Sequence, residues 1–243
     1  MANDLFSKWL KLSTQDENVA VFTEHPAGRA SGLAAVRKLL GEHFVGETTI
    51  LQAGGYTKAA AVIANSLPAD KRTRSGDLGE LLATEYIDAQ TEFIVPIRKL
   101  RWKSDRQMPM HGNDVVAVDP AKTPVRVLKA ECKSRAAFGA AVVKEAAEGL
   151  DKDGGRPNPS TLAFITKRLY EEGRDAEADL YRDLQCKGAI TPKQVTHLIF
   201  GLCGNDPEVH FKSAPKPKRA GIKRKTAAIV ITDHAAFVKK VFG

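Results

Sequence analysis

The stretch "HGNDVVAVDPAKTPVRVLKAECKSRAAF", residues 111–138, decides how the chain is read. Two β-branched apolar runs, VVAV and VRVL, flank the turn-forming segment DPAKTP, a spacing that predicts a hairpin of strands over 114–118 and 125–133. The first run opens on Asp114 and the second closes through Glu131 and Lys133. Antiparallel pairing sets the start of one strand beside the end of the other, so Asp114 is expected next to Glu131. Side chains alternate along a strand, which puts Val127, Lys129, Glu131 and Lys133 on one side. Charged residues that interrupt an otherwise buried-looking sequence need a partner or a task.

Working outward, "SGDLGELLATEYID" (75–88) predicts a helix capped by Ser75, with Leu78, Leu81, Leu82 and Tyr86 at helical spacing. "EFIVPIRKLRW" (92–102) reads as a strand that Pro96 confines to an edge or a bulge. A helix over 136–150 follows the hairpin. After a Gly/Pro/Asn break, "STLAFITKRLYEEG" (160–173) and "AEADLYRDLQCKG" (176–188) read as two more helices. Strands over 194–204 and 226–232 and a closing helix, "HAAFVKKVF", complete the chain. The order predicts an α/β fold with a mixed central sheet flanked by helices. Before it, "SGLAAVRKLLGEHF" from a capping Ser31 and "YTKAAAVIANSL" read as helices, with ETTILQ as a short strand between them. A soft boundary in "LPADKRTR" divides the chain into a mostly helical region, 1–70, and a main domain, 71–243.

The formal charge of +8 favours a polyanionic partner. Positive charge concentrates in "KRTR" (71–74), "RKLRWKSDR" (98–106) and "KSAPKPKRAGIKRK" (212–225). Arg101, Lys103, Lys218 and Arg219 are the candidate phosphate contacts; the alternative for such runs is a solvated face. Trp102 is placed either to stack on an unpaired base or to anchor the core. The acidic stretch "EEGRDAEADLYRDL" is either a partner-facing or a solvated helix. No apolar run is long enough for a bilayer, and the opening "MANDLFSKWLKL" is not the pattern of a secretory signal. Cys132, Cys186 and Cys203 form no CxxC pair, which fits reduced thiols in a cytoplasm rather than disulfides or zinc. The chain lacks GxGxxG after a strand, GxxxxGK[ST] and GxSxG, so dinucleotide binding, ATP hydrolysis and serine hydrolysis find no support.

Asp114, Glu131 and the backbone carbonyl of Cys132 make a set of hard oxygen donors suited to Mg²⁺ or Mn²⁺. Such an ion polarises a phosphoryl oxygen and acidifies a water, and Lys133 stands where it would orient that water or stabilise the phosphate's growing charge. Glu80 joins this set if its helix packs on the sheet. The chemistry expected is metal-assisted hydrolysis of a phosphodiester. The competing reading makes Asp114 a turn cap and Glu131/Lys133 a surface ion pair. Glu85, Glu92 and His111 are read as surface or loop residues.

The pattern Asn113-Asp114, sixteen residues, then Glu131-Cys132-Lys133 resembles the PD-(D/E)xK nuclease superfamily, with Asn in place of the Pro of its name. "GDLGELLATEYI", "HGNDVVAV" and "AECKSRA" are similar to the nuclease-subunit family of the Hachiman antiphage defence system. The resemblance implies a restriction-endonuclease-like fold and a metal-dependent DNA endonuclease with Glu80, Asp114, Glu131 and Lys133 in its site. It also implies a superfamily 2 helicase partner that restrains the nuclease until foreign or damaged DNA is met. A catalytically silent DNA-binding or assembly subunit and a standalone repair nuclease are the alternatives, and oligomeric state is left open.

Overall fold

The computed structural model describes residues 2–108, 110–186 and 190–243. Its centre is one six-stranded sheet in the order β1-β2-β6-β5-β4-β3, formed by β1 (Leu10–Gln15), β2 (Val19–Glu24), β3 (Val115–Asp119), β4 (Arg126–Arg135), β5 (Val195–Cys203) and β6 (Lys223–Val230). The four middle strands run parallel, and an antiparallel hairpin closes each edge: β1 with β2, β3 with β4. Helices cover both faces, as a buried parallel sheet requires. One face packs under α1 (Ala2–Trp9), α2 (Arg29–Phe44), α5 (Lys71–Gln90) and α10 (His234–Phe242), around Leu78, Leu82, Leu128, Ala130, Phe200 and Ile229. The other packs under α6 (Ala140–Asp151), α7 (Pro159–Glu171), α8 (Asp175–Leu184) and α9 (Glu208–Lys212), around two clusters centred on Val127 and Ile199. Two small helices, α3 (Glu47–Gln52) and α4 (Tyr56–Ser66), bury no residue. This mixed α/β architecture is consistent with a restriction-endonuclease-like fold. Among the described residues no helix is long and apolar enough to cross a membrane.

Several local expectations are corrected. ETTILQ is the helix α3, because it has no strand beside it and a helix satisfies its own backbone, as in the Ile50 N–H to Gly46 carbonyl bond. The first seventy residues instead supply the hairpin β1–β2, whose β2 pairs with β6 and carries their share of the sheet. Neither Ser31 nor Ser75 is a cap. Helix α2 begins at Arg29, and α5 begins four residues before Ser75, where the Asp70 carboxylate accepts from the Arg72 and Thr73 N–H groups. Residues 92–102 do not form a strand: Ile94 alone bridges to Val118, and a 3₁₀ turn occupies Lys99–Trp102. Side chains take the place of the ladder there, with the Asp88 carboxylate accepting from Val95 N–H and the Arg174 guanidinium donating to the Pro96 carbonyl. Helix α8 ends at Leu184, and Lys187 and Gly188 of its predicted span lie outside the described residues. All three cysteines are free.

A buried ionic network ties the end of α6 to the sheet. His197 on β5 is fully buried; its Nε2–H donates to the Gly155 carbonyl at 2.7 Å, and its Nδ1 accepts from Arg224 at 3.1 Å. Arg224 is in turn paired with Asp151 at 2.8 Å. Burial, with the Arg224 and Lys129 charges adding to it, pushes the His197 imidazole down to about 4. The folded protein therefore refuses a proton that the unfolded chain accepts at about pH 6.5. Above that pH the group contributes nothing to pH dependence; as pH falls toward 4 its burial costs on the order of 2–3 kcal/mol. His43 and His234, also depressed by burial, act in the same direction. Urea unfolding at pH 7 and pH 5 is expected to show a loss of stability at the lower pH, and His197→Gln a shallower one. Equal losses in both proteins would remove His197 from the account.

Candidate active site

The site begins where β4 outruns β3. The two pair from Asp119↔Arg126 to Val115↔Ala130, after which β4 continues to Arg135 with only β5 beside it. Asp114, the residue before β3, fills the gap: its Oδ2 accepts from the Cys132 N–H at 2.7 Å in place of a ladder bond. A residue's N–H and C=O leave a strand on the same edge, so the Cys132 carbonyl is directed toward the same open edge. The predicted hairpin and the juxtaposition of Asp114 with the Glu131 end of β4 are both present.

Glu131 and Lys133 project from the face covered by α6. A Cβ on Gly149 of that helix would come within 2.9 Å of the Glu131 carboxyl carbon, so the glycine makes the room the carboxylate occupies. Lys133 Nζ lies 3.1 Å from Glu131 and 2.8 Å from Glu145 on α6. Burial opposes the charge of Lys133, but its bonds to Glu145 and Glu131 outweigh burial and hold the ammonium above the ordinary lysine range. Lys133 is thus a cation and donor, not a base. Lys129, two residues back on the same face, is fully buried and donates to the carbonyls of Leu150 and Lys152, at 2.9 Å each. It caps the C-terminal end of α6 and so fixes the helix that carries Gly149 and Glu145.

Glu80 arrives from α5, on the opposite face of the sheet. Burial pushes its carboxyl up to about 8 against the pull of Lys99, with the negative charges of Asp114 and Asp77 adding to the rise. Asp114 and Glu131 are also raised, in each case chiefly by burial, and Glu131 further by the charge of Asp114. Asp114, at the open edge of β4, thus acts by its charge on Glu80 on one face of the sheet and on Glu131 on the other, and the three make up an acidic row. The Cys132 thiol, driven far upward by burial and by these three acids, stays protonated, leaving its carbonyl as the donor. Lys99, from the 3₁₀ turn, donates to the Asn113 carbonyl at 2.6 Å and is a cation felt by both Glu80 and Asp114.

The other predicted residues divide. Lys103 is buried and bound by both oxygens of Asp77, at 3.0 and 2.8 Å. Arg101 donates to the Glu42 carbonyl and lies 3.8 Å from Glu172. Lys103 is thus neutralised internally, whereas Arg101 keeps a partly exposed guanidinium and a looser ion pair. Lys218 and Arg219 are exposed on the loop before β6. Arg224, from the same basic run, is instead the buried partner of Asp151. Glu85 is not a surface charge: it is buried, 2.8 Å from His43 and 3.3 Å from Arg98. Glu92 is exposed and pairs with Arg126, and His111 is exposed. Sequence reasoning gave no role to Lys99, Lys129, Asn113 or Gly149. Only Lys129 left a signal, as a cation inside an apolar strand.

Two carboxylates and a strand carbonyl are hard oxygen donors, and Mg²⁺ keeps most of its waters, so this set fits such an ion. Among the described residues no group of three or more His, Cys, Asp and Glu side chains stands ready to hold a metal. Asp114 and Glu131 are the residues that would hold it, with the Cys132 carbonyl beside them and Glu80 reaching its water shell.

A family model described as HamA matches residues 4–243. The chain belongs to the HamA family. It is 35% identical over 178 residues to Hachiman protein HamA of Bacillus cereus, a match that covers 72% of this chain and 62% of that relative. The chain thus spans less than two thirds of the relative's length. All four acid and lysine positions lie within the span matched by the HamA family.

The role of Gly149 is open to a direct check. Gly149→Ala gains about 1 kcal/mol of helix propensity, which offsets local crowding, so melting is expected to move by no more than about 4 °C. A crystal structure of the variant should show the Glu131 carboxylate displaced; a carboxylate in its present position would mean the glycine is not what makes room for it.

Proposed function

We propose that this HamA-family protein is a divalent-metal-dependent DNA endonuclease of the PD-(D/E)xK type. Its setting is a cytoplasmic antiphage defence complex with a helicase partner. The observation that carries the reading is the Asp114–Cys132 contact: it places a carboxylate and a strand carbonyl at an open sheet edge, with Glu131 and Lys133 on either side of that carbonyl. The system name borne by the Bacillus cereus relative supports the defence setting, and the formal charge of +8 supports a polyanionic substrate.

In this reading Asp114 and Glu131 bind Mg²⁺ or Mn²⁺ with the Cys132 carbonyl, and Glu80 orders the water around it. When bound, the ion neutralises charge on the phosphoryl group and makes a nearby water more acidic. Lys133, held as an ammonium by Glu145 and Glu131, orients the attacking water and stabilises charge on the five-coordinate phosphate. Lys99 attracts the substrate phosphate toward the acidic row. The exposed Lys218 and Arg219 grip the backbone farther along.

A second reading has one observation in its favour. Glu131 is tied to Lys133, and no three-residue metal cluster is assembled among the described residues, as a silent DNA-binding subunit would allow. Cleavage of supercoiled plasmid separates the two. Cutting is expected in Mg²⁺ and not in EDTA. Asp114→Asn, Glu131→Gln and Lys133→Met should each lower it by at least about a hundredfold while the melting midpoint holds within a few degrees. Variants that cut as fast as the parent would overturn the site. A parent that binds plasmid but cuts none, alone and with its helicase present, would favour the silent subunit.

A further inference from the structure

A cavity of about 590 Å³ opens beside the acidic row, bounded by the Lys99–Trp102 turn, the segment after it and the first turn of α7. Trp102, Met108 and Phe164 give it apolar walls, while Lys99, Asp105, His111 and Ser160 give it polar ones, with Asp105 its one acid among the described residues. It adjoins the site through shared residues: Lys99 and Thr161 also line a small cavity that reaches Asp114. Asn113 joins the two. Its N–H donates to Thr161 Oγ1 at 3.0 Å, its side-chain oxygen accepts from the Asn158 N–H at 2.7 Å, and its carbonyl accepts from Lys99. One residue's backbone therefore separates this cavity from the Asp114 carboxylate.

The walls suit one kind of group. Arg168 lies 4.3 Å from the Trp102 ring and 5.1 Å from the Phe164 ring, which fixes both aromatics in place. A flat group with apolar faces fits walls of this kind, and a nucleobase is such a group. Lys103 lines the cavity too, but Asp77 neutralises it, so Lys99, at the end nearer Asp114, is the cation left to meet a phosphate. A base can enter only when it is unpaired and out of its stack.

We infer that this cavity is a subsite for an unpaired nucleobase on the strand being cut, next to the phosphate at the acidic row. The inference rests on the nuclease reading for the identity of that strand. It gives the enzyme a preference for single-stranded or locally opened DNA over intact duplex.

The test is binding without cutting. Fluorescence anisotropy in EDTA compares an oligothymidylate of about twelve nucleotides, the same backbone with abasic sites, and a duplex of equal length. The parent protein is expected to bind the base-bearing strand about tenfold more tightly than the abasic one. Ser160→Trp, which fills the cavity from an exposed position, and Met108→Glu, which makes its wall acidic, should each bring that ratio within about twofold and leave duplex binding unchanged. Equal binding of the two strands by the parent, or an unchanged ratio in both variants, overturns the subsite. Because the assay needs no catalysis, an intact plasmid in the cleavage experiment beside a preserved ratio here would sink the nuclease reading and spare the subsite.

Discussion

The hydrogen bond from the Cys132 N–H to Asp114 is the contact on which the rest of the candidate site depends. Strand β3 stops pairing at Val115↔Ala130, and a backbone donor left bare at that step would cost on the order of 1–3 kcal/mol. A carboxylate satisfies it more strongly than a backbone carbonyl would, because the bond is charge-assisted. The same bond keeps the edge open: a side chain ends the ladder, no strand follows it, and the Cys132 carbonyl is left facing the space that Asp114 faces. Glu131 and Lys133 then follow from alternation alone, both on the α6 face, while Glu80 reaches Asp114 from the α5 face.

What surrounds that edge is rigid on both sides. On the α6 side, Lys129 holds the carbonyls at the end of the helix, and Asp151, Arg224 and His197 continue the network across two more strands. On the α7 side, Asn113 makes three hydrogen bonds that fix the first turn of that helix and Lys99 to the backbone bearing Asp114. Asn113 stands where the superfamily's name has Pro, and an asparagine there supplies a side-chain acceptor that proline lacks. Positions that look like ordinary polar residues in the chain are thus the ones that hold the acids at fixed separation.

The hairpin and the gathering of Asp114, Glu131 and Lys133 were legible in the sequence because β-branched runs and a short turn specify local pairing directly. The sheet's parallel centre was legible only as a class, from element order. The β1–β2 hairpin was missed because "LKLSTQ" alternates weakly and β1, an exposed edge, buries little beyond Leu10. Residues 92–102 misled because their apolar content reflects burial of Phe93, Val95, Ile97 and Leu100 by tertiary packing, not a ladder. Lys103 and Arg101 looked like free positive charge because a charge run does not reveal its partners, and Asp77, Glu42 and Glu172 come from other elements. Gly149 carried no signal, since its role is the shape of a neighbour's side chain.

The acidic row is held at a cost to stability that the charges of Lys99, Lys133 and Lys129 only partly relieve. Among the described residues neither Glu80 nor Asp114 has an ion-pair partner; Lys99 and Lys129 are anchored on Asn113 and the end of α6, while Lys133 bridges Glu131 and Glu145. A ligand at Glu131 would therefore have to share that carboxylate with Lys133, whereas one at Glu80 or Asp114 would meet no ion pair among the described residues. Around Glu80 and Asp114, acids and cations thus stand close without pairing. Such an arrangement favours a guest that carries both signs, and a divalent ion together with a phosphate is one. The raised carboxyls of Glu80 and Asp114 and the anchoring of Lys99 and Lys129 are then one property of the fold, which holds two acids without ion-pair partners at an open sheet edge.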